Sequence, residues 1–475
     1  MRKPKYLHIS DIRYCFTVID SFSDSPELKY TLRMCSVSSR APNGTCQNVT
    51  IPEVGERKIC TCSTNMCNTA ANSNYSSTYM PDIQQMMVDG FYVALITLDS
   101  SSAFDTIDHQ VLIKTLHDNF GVEGEALKLL NSYLYNRSFS VVVGGQVSAK
   151  KTLTSGVPQG SLLSPLLYNL YTKGVENVVK AFNHTIMESS HMTINIHAYA
   201  DDIQLYFAFK SDHIITAQHI ANDCLSKLKH WMDINYIKLN TDKTTLKIFS
   251  PNKTPLQFQI NHNNDIIEQT DLINILGIKL NKDLNFTPFV SRKVQVCYMH
   301  LRNLFHVKKY LPLKSRITMV TNLIISQLDY CNSILICAKK KDIKPLQLAL
   351  NRAIRFIFYI DRRSHITPFL KKLHILPIEY RIKYKSCLIS YKIFHKLAPP
   401  YLIEQFPTFE PSTSISLRIG PGRDTSMFQL DLSKRETIYS KLKSEWNKLP
   451  YDLRMSNNLN LFKTKLKSHF FSMAF

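Results

Sequence analysis

The stretch His197–Phe207, HAYADDIQLYF, carries two adjacent acids, Asp201 and Asp202, between apolar residues that alternate with polar ones. This alternation predicts two β-strands joined at the acids, so that the carboxylates lie at the tip of a hairpin. An Asp-Asp pair is also common in surface turns, and the string alone leaves both a metal site and an ordinary turn open. The fold prediction therefore depends on what the rest of the chain brings to this hairpin.

A third acid, Asp99, lies about a hundred positions earlier, in ITLDSSSAFDTIDH (Ile96–His109). It follows an apolar run, and a helical pattern begins after it, so Asp99 is predicted to end a strand. If that strand neighbours the hairpin in one sheet, the three carboxylates meet at one edge. Such oxygen ligands can hold two Mg²⁺ ions, which clamp the attacking and leaving oxygens of a phosphoryl transfer.

Four strings of the chain, in this order, resemble motifs A to D of the reverse transcriptases of non-LTR (LINE-type) retrotransposons, nearest the jockey and chicken-repeat groups. They are LDSSSAFDTIDH (Leu98–His109), SGVPQGSLLSPLLYNLY (Ser155–Tyr171), AYADDIQLY (Ala198–Tyr206) and WMDINYIKLNTDKTTLKIF (Trp231–Phe249). The resemblance covers roughly residues 80–475. It implies an α+β polymerase palm, an antiparallel sheet backed by helices, with a helical thumb and a helical C-terminal region.

The resemblance implies that Asp99, Asp201 and Asp202 are catalytic and bind two Mg²⁺ ions, with Mn²⁺ as an alternative metal. It also implies that Ser100 contributes its backbone carbonyl at the incoming nucleotide. The ring of Phe104 would lie under the sugar of that nucleotide and exclude a 2′-hydroxyl group. An ordinary core aromatic is the other interpretation of this phenylalanine.

Further nucleotide contacts are implied for Gln159 and Gly160, which lie in the turn-rich string SGVPQGS. Glycine allows a backbone to approach a ligand closely, although a plain surface turn would have the same composition. Lys243 matches a motif D lysine near the pyrophosphate leaving group, where a cation stabilises developing charge. A lysine that simply faces solvent is the alternative.

Primer contacts are implied for Tyr199, beside the acids, and for Leu276 and Gly277. The last two occupy the turn position of LINILGIKLNKDLNF (Leu272–Phe286), which resembles motif E. The segments that follow combine helical periodicity with basic residues. They predict a thumb that follows the backbone of a nucleic-acid duplex, with a plain helical bundle as the alternative.

The charge balance favours a nucleic-acid partner. The chain has 58 basic and 37 acidic residues, a net charge of +21, and positive surface neutralises phosphates. The expected partners are an RNA template, a DNA primer and deoxynucleoside triphosphates. Because no apolar run reaches the roughly 18 residues of a membrane span, no such span is expected. A nuclear or cytoplasmic location is expected for the polymerase part.

The N-terminal residues have a different composition, since six of the eleven cysteines lie before residue 70. An even, closely spaced set of cysteines is typical of a disulfide framework rather than a zinc site. The closing pair Cys67-Asn68 resembles the end of a three-finger, lymphocyte-antigen-like domain. The resemblance implies a small β-type fragment of extracellular ancestry, although the opening residues lack the hydrophobic core of a signal peptide.

The predicted domains are a cysteine-rich three-finger-like fragment (1–75), a palm (80–260), motif E with the thumb (261–335) and a basic helical C-terminal region (336–475). About twenty residues separate the cysteine-rich piece from motif A, so incomplete fingers and weaker triphosphate binding are expected. The predicted function is the RNA-directed DNA polymerase module of a non-LTR retrotransposon, in truncated form. A catalytically inactive fusion protein and a nucleic-acid-binding relic are the alternatives.

Overall fold

The computed structural model describes residues 80–100, 103–158, 160–187, 192–251, 256–262, 265–409, 426–430 and 437–475, together with four N-terminal strands. The chain divides into two compact units, Met1–Tyr75 and Ser76–Phe475. In the first unit, β1 (Val18–Asp20) pairs antiparallel with β2 (Tyr30–Leu32), and β3 (Cys46–Ile51) pairs antiparallel with β4 (Gly55–Cys60). The predicted disulfide framework lies outside the described residues.

The described strands of the second unit are β5 (Tyr92–Ser100), β6 (Ser138–Phe139), β7 (Val142–Val143), β8 (Gln146–Val147), β9 (Lys151–Thr152), β10 (Asn195–Tyr199), β11 (Asp202–Phe209), β12 (Leu239–Phe249), β13 (Ile260–His262), β14 (Asp265–Ile267), β15 (Ile273–Ile275) and β16 (Ile278–Leu280). Its described α-helices are α1 (Met80–Val88), α2 (His109–Phe120), α3 (Gly124–Leu134), α4 (Ser164–Tyr171), α5 (Lys173–Met187), α6 (Ile214–Ile234), α7 (Thr287–His306), α8 (Leu313–Val320), α9 (Ser326–Asp329), α10 (Lys340–Phe358), α11 (Thr367–Lys372), α12 (Ile378–Phe394), α13 (Pro400–Glu404), α14 (Ile438–Asn447), α15 (Tyr451–Arg454) and α16 (Leu459–Ala474). One π-helical segment (Thr321–Ile325) joins α8 to α9.

A four-stranded antiparallel sheet forms the centre of the second unit, in the order β10-β11-β5-β12. Ile203 of β11 lies opposite Leu98 of β5, and Asn240 of β12 lies opposite Asp99 on the other side. The strand that carries Asp99 is thus hydrogen-bonded to the strand that begins at Asp202. This mixed helix and sheet architecture, with an antiparallel sheet, agrees with the predicted α+β class.

Alternate residues of β5 enter two different cores. Ala94, Ile96 and Leu98 pack with the buried side chains of α5 and α6, which back the sheet as expected. Val93 and Leu95 point to the opposite face and join a second core with α1, the β15–β16 hairpin and helices α7 to α16. Because both faces are covered, the sheet is buried on its two sides rather than on one.

The second core ties the C-terminal helices to the sheet through buried polar contacts. The carboxylate of Asp82 in α1 accepts hydrogen bonds from Tyr206 OH of β11 (2.9 Å) and Tyr439 OH of α14 (2.7 Å). Arg381 of α12 donates through Nε to Asp329 Oδ1 at 2.7 Å. None of the helices described is both long and apolar enough to cross a membrane.

Candidate active site

The three acids lie at the end of the central sheet, where two strands meet. Asp99 is the penultimate residue of β5, Asp202 is the first residue of β11, and Asp201 occupies the turn before it. Tyr199 pairs with Asp202 across the hairpin, and Ala200 takes the left-handed conformation (φ 51°) that lets the chain reverse. Both predicted placements, a strand end and a hairpin tip, are confirmed.

A cavity of about 500 Å³ opens at this end of the sheet. It is lined by Asp99, Ser100, Ala103, Phe104, Gly160, Ser161, Ser164, Pro165, Asp201 and Lys243. Six of the predicted site residues therefore share one cavity, although their motifs are spread over nearly 150 positions of the chain. Asp202, Tyr199, Leu276 and Gly277 are not among the lining residues, and Gln159 falls outside the described residues.

Negative charge is concentrated at the cavity. Burial raises the pKa of Asp202, and the charges of Asp201 and Asp99 raise it further. Burial also raises the pKa of the Tyr168 hydroxyl to about 12, against a hydrogen bond with Ser100 that lowers it, and Asp201 and Asp99 add to the increase. The three carboxylates are thus close enough to act on one another and on the same tyrosine.

One carboxylate oxygen of this group has an ion-pair partner but no hydrogen bond from the described residues. Asp99 Oδ2 is buried and accepts no hydrogen bond from any described residue. Lys243 Nζ forms an ion pair with it at 3.3 Å, although the lysine side chain is 66% exposed. Lys243 lies in an irregular part of β12, where the pairing with β5 shifts between Asn240 and Thr245. Such a bulge re-aims side chains, and here it accompanies a lysine directed at the acid.

A glycine joins the motif A loop to motif B. Gly156 N donates to Ile107 O at 2.7 Å, and Val157 N donates to Phe104 O at 2.8 Å. Gly156 has φ 87°, and a Cβ atom at this position would lie 2.9 Å from the Asp105 backbone. Glycine is therefore required here both by the backbone conformation and by the close approach of the two loops. The contact holds Phe104 at the wall of the cavity.

Phe104 is half-buried in the cavity wall. Its ring lies 4.9 Å from the ring of Tyr168, centre to centre, at an interplanar angle of 36°. Tyr168 OH in turn shares a hydrogen bond of 3.3 Å with Ser100 Oγ. The phenylalanine thus packs against Tyr168 and also lines the cavity.

Two serines that the motif comparison did not select as binding residues, Ser161 and Ser164, also line the cavity. Ser164 Oγ donates to Pro158 O at 2.6 Å, and Tyr133 OH donates to Ser161 Oγ at 2.5 Å. These bonds fasten the turn around Gly160 to α3 and α4. A serine before a helix is an ordinary sequence feature, so nothing in the local pattern distinguished these two from other turn serines.

The motif E turn lies at a second group of side chains. Leu276 (φ 47°) and Gly277 (φ 79°) form the two-residue turn between β15 and β16, as predicted, with the positive φ angles that tight hairpins need. Tyr330 OH donates to Leu276 O. Burial raises the pKa of Tyr330 to about 12, with smaller contributions from its neighbour Cys331 and then from Tyr199 and Asp202. Tyr330 is therefore bonded to the turn and close enough to the acid hairpin to feel its charges.

Among the described residues, no group of three or more His, Cys, Asp or Glu side chains is arranged to hold a metal ion. The three predicted ligands therefore do not form a closed coordination sphere. Two of them, Asp99 and Asp201, line one cavity, and the buried Oδ2 of Asp99 lacks a hydrogen bond from the described residues. Hard carboxylate oxygens of this kind suit Mg²⁺, which commonly takes one or two carboxylates and completes its shell with water and phosphate oxygens.

Comparison with known proteins identifies the family of this chain. The family model described as "Reverse transcriptase (RNA-dependent DNA polymerase)" matches residues 31–280. The chain belongs to the reverse transcriptase family. The match begins inside the predicted three-finger-like fragment, and no comparison supports a three-finger domain there.

Its relatives include polymerases of insect transposable elements. The chain is 29% identical over 308 residues to the "Probable RNA-directed DNA polymerase from transposon BS" of Drosophila melanogaster. This alignment covers 63% of this chain and 33% of that protein. It is 28% identical over 195 residues to the "RNA-directed DNA polymerase from mobile element jockey" of the same species. That alignment covers 41% of this chain and 20% of the relative. The matched part thus spans a third or less of these reverse transcriptases.

Solved telomerase structures give a weaker likeness. The alignment with apo telomerase from Candida tropicalis covers 81% of this reverse transcriptase chain and 75% of the telomerase chain, at 14% identity and a TM-score of 0.34. Telomerase from Candida albicans with a fragment of telomeric RNA aligns with 64% of this chain and 52% of its own, at 13% identity and a TM-score of 0.33. These scores are too low to define the fold.

Proposed function

We propose that this chain is an RNA-directed DNA polymerase module of a non-LTR retrotransposon, which extends a DNA primer along an RNA template. The observation that carries the proposal is the position of Asp99 and Asp201 on one cavity, although they come from strands about a hundred residues apart in sequence. Family membership supports it, as do relatives that are named RNA-directed DNA polymerases. The substrates would be deoxynucleoside triphosphates.

Asp99 and Asp201 would hold Mg²⁺ through carboxylate oxygens, with Asp202 adding negative charge from the base of β11. Two Mg²⁺ ions, when bound, would activate the primer hydroxyl and neutralise charge on the triphosphate. Asp99 Oδ2 is the oxygen best prepared for this role, because it is buried without a hydrogen bond from the described residues and its ion-pair partner Lys243 has an exposed side chain that can move away. Mn²⁺ would meet the same ligand requirement.

Lys243 would leave its ion pair with Asp99 when a metal ion takes up that carboxylate. Its exposed side chain could then reach the pyrophosphate as the bond to the α-phosphate breaks, where an ammonium group stabilises developing negative charge or donates a proton. In the free protein the same ion pair offsets part of the repulsion among the three acids.

Phe104 would select the sugar and Gly160 would bring backbone close to the nucleotide, with Gln159 beside it. Both Phe104 and Gly160 line the cavity, and Gly160 has open space where a Cβ would be. Tyr199 and the Leu276–Gly277 turn would hold the primer end. Their common neighbour Tyr330, which is hydrogen-bonded to Leu276 and close to Tyr199, supports this assignment.

The polymerase proposal is tested by primer extension with the purified full chain. An annealed RNA template and DNA primer, the four deoxynucleoside triphosphates and Mg²⁺ should give products longer than the primer. Asp201→Asn should abolish extension, while Asp212→Asn, which changes an exposed aspartate on the surface, should leave it intact. If wild-type protein that binds the primer–template gives no extension with either metal, the proposal is wrong.

A catalytically inactive nucleic-acid-binding protein is the second candidate. The +21 charge favours it, because charge alone supports binding to phosphates without catalysis. The two candidates separate in one experiment: salt-sensitive binding to the primer–template without extension would support the second. A nuclear or cytoplasmic location suits either function.

For residues 1–75 we propose the three-finger-like fragment that the closing pair Cys67-Asn68 resembles, and between this fragment and motif A we propose an incomplete set of fingers. The first proposal predicts that the six cysteines before residue 70 form disulfides. Alkylation followed by mass measurement, with and without reductant, would count them. Six free thiols in protein made in an oxidising compartment would exclude a disulfide-bonded fragment.

A further inference from the structure

A second cavity, of about 420 Å³, lies between α7 and α10, away from the acids. It is lined by Tyr298, Leu301, Arg302, Phe305, His306 and Arg352. Leu301 is buried, whereas the side chains of Tyr298 and Phe305 are 39% and 37% exposed. The cavity therefore combines aromatic and apolar walls with basic groups, and it lacks acidic lining residues.

Two more cations continue this surface beyond the cavity. Lys308 Nζ lies 5.4 Å from the ring centre of Phe305 and 4.1 Å from that of Tyr359. Arg316 Cζ lies 3.7 Å from the Tyr359 ring centre, and Arg352 Cζ lies 5.4 Å from that of Phe305. Phe305 and Tyr359 thus each lie beside two cations. We call these residues, together with the ring-bearing and basic residues of the cavity, the α7–α10 strip: Tyr298, Arg302, Phe305, His306, Lys308, Arg316, Arg352 and Tyr359.

The cations of the strip lack anionic partners. Among the described residues, none of them forms an ion pair with a carboxylate. Arg316 is the extreme case: only 7% of it is exposed, and its Nε and Nη1 atoms make no hydrogen bond within the part of the chain that is described. Burial and the charge of Arg316 lower the pKa of Lys308. The Tyr359 ring contacts this guanidinium but supplies no negative charge, so a bound anion would stabilise the arrangement.

The chemistry of the strip fits a nucleotide chain rather than a simple anion. Guanidinium groups bind phosphates through paired hydrogen bonds, and exposed aromatic rings stack on unpaired bases. We propose that the α7–α10 strip binds single-stranded RNA, with a base in the cavity beside Tyr298 and Phe305 and phosphates on Arg316, Lys308 and the neighbouring arginines. A duplex would not present a free base face to the cavity.

The cavity of the strip and the catalytic cavity share no lining residue. Lys293, earlier in α7, places Nζ 4.1 Å from the ring centre of Tyr330, which is hydrogen-bonded to the motif E turn. Tyr298 and Phe305 follow it in the same helix by five and twelve residues, about 8 and 18 Å along the axis at 1.5 Å per residue. The inference goes beyond the proposed polymerase activity, since such a site would bind RNA whether or not the chain can extend a primer.

Fluorescence anisotropy with the full chain tests the proposal without any catalysis. The probe is a labelled 12-nucleotide oligouridylate, in EDTA and without nucleotides. We expect Arg302→Ala/Arg352→Ala to weaken binding tenfold or more and to lower the salt slope by about 1.4, from two lost phosphate contacts at about 0.7 each. Both arginines are exposed, so the double variant should fold normally. Lys465→Ala/Lys467→Ala, which removes the same charge from exposed positions of α16, should change binding much less.

Two further variants separate stacking and phosphate binding from a structural role. Tyr298→Ala should weaken binding about fivefold or more, while Tyr298→Phe, which keeps the ring, should bind as the wild type does. Arg316→Gln should weaken binding without lowering the midpoint of thermal unfolding, because in the free protein this charge is buried with a ring beside it but with no carboxylate among the described residues to pair with it. A purely structural arginine would give the opposite pattern, a lower midpoint with unchanged affinity.

Several outcomes would overturn the assignment. Equal affinities of the arginine pair variant and the lysine control would exclude the strip as the site. If Arg302→Ala/Arg352→Ala lost as much affinity for a blunt RNA–DNA duplex of the same length as for the oligouridylate, the strip would not distinguish single strands from duplexes. Complete displacement of the oligouridylate by millimolar inorganic phosphate would identify a simple anion site. Because no primer is extended, a failure of the polymerase proposal would leave each of these results interpretable.

Discussion

Lys243 Nζ lies 3.3 Å from Asp99 Oδ2, and both residues of this ion pair line the same cavity. The two residues come from neighbouring antiparallel strands, and the lysine reaches the acid because the pairing of β12 with β5 is irregular at this point. The lysine is therefore ion-paired with the carboxylate oxygen that a metal ion would need as a ligand. Metal binding and the position of Lys243 should be linked.

This linkage predicts the behaviour of Lys243→Met in primer extension. Without the competing ammonium group, Mg²⁺ should reach Asp99 more easily, so that the half-saturating Mg²⁺ concentration falls. If the lysine also assists the leaving pyrophosphate, the rate at saturating Mg²⁺ should fall about 100-fold or more. Lys238→Met, at an exposed position nearby, is the matched control. An unchanged Mg²⁺ dependence would mean that the ion pair does not compete with metal.

Sugar selection is predicted to depend on the ring of Phe104. Phe104→Ala should raise the incorporation of ribonucleotides relative to deoxyribonucleotides, because removal of the ring opens space in the cavity wall. Tyr168, whose ring is 4.9 Å from that of Phe104, should still support the site. The measurement is the ratio of kcat/KM for a matched ribonucleotide and deoxyribonucleotide pair. Phe139→Ala, at an exposed ring, is the control, and an unchanged ratio in Phe104→Ala would remove the gating role.

The sequence predicted the centre of the structure well because periodicity and acids coincide there. The alternation around Asp201 and Asp202 and the apolar run before Asp99 predicted the strand ends where the structure has them. The Leu276–Gly277 turn was predicted instead from the resemblance of its string to motif E, and the structure has a hairpin there. The two strand ends depend on local pattern, which sequence reports directly.

Contacts between distant segments were not predictable in this way. Tyr330 lies 54 positions from Leu276, just after the end of α9, and no local pattern there indicates that it would bond to the motif E turn and lie close to Tyr199. The surroundings of Arg316, a ring on one side and two nitrogens without hydrogen bonds from the described residues, depend on how the chain folds, and the sequence shows only one more basic residue in a helix. The burial of the second face of the sheet was not predictable either, because it depends on how the C-terminal helices pack against the sheet.

Gly156 should be among the most sensitive positions for stability. Gly156→Ala combines an unfavourable positive φ with a Cβ atom 2.9 Å from the Asp105 backbone, so it should lower the free energy of unfolding by about 2 kcal/mol or more. Gly145→Ala shares the positive φ but has open space around the new methyl group, and should cost less. Urea denaturation of both variants measures the difference. Equal costs would mean that the loop approach relaxes freely and contributes little.

The buried carboxylate of Asp82 predicts a pH-dependent stability. Burial raises its pKa, even though hydrogen bonds from Tyr439 and Tyr206 lower it in part. A raised pKa means that the folded state binds the proton more tightly than the unfolded state does. The stabilising contribution is therefore complete below the ordinary pKa of the group and is lost as the pH rises through the raised value.

Asp82→Asn should remove this dependence, because the amide stays neutral and can still accept one tyrosine hydrogen bond and donate another. The difference in urea midpoint between wild type and variant should therefore shift in favour of Asp82→Asn as the pH rises from about 4 to 7, the range just above the ordinary carboxyl pKa. Asp233→Asn, at an exposed aspartate, should show no such trend. A midpoint difference that stays constant over this range would mean that Asp82 is ionised equally in the folded and unfolded chain. It would then follow that its two tyrosines, rather than burial, control its charge.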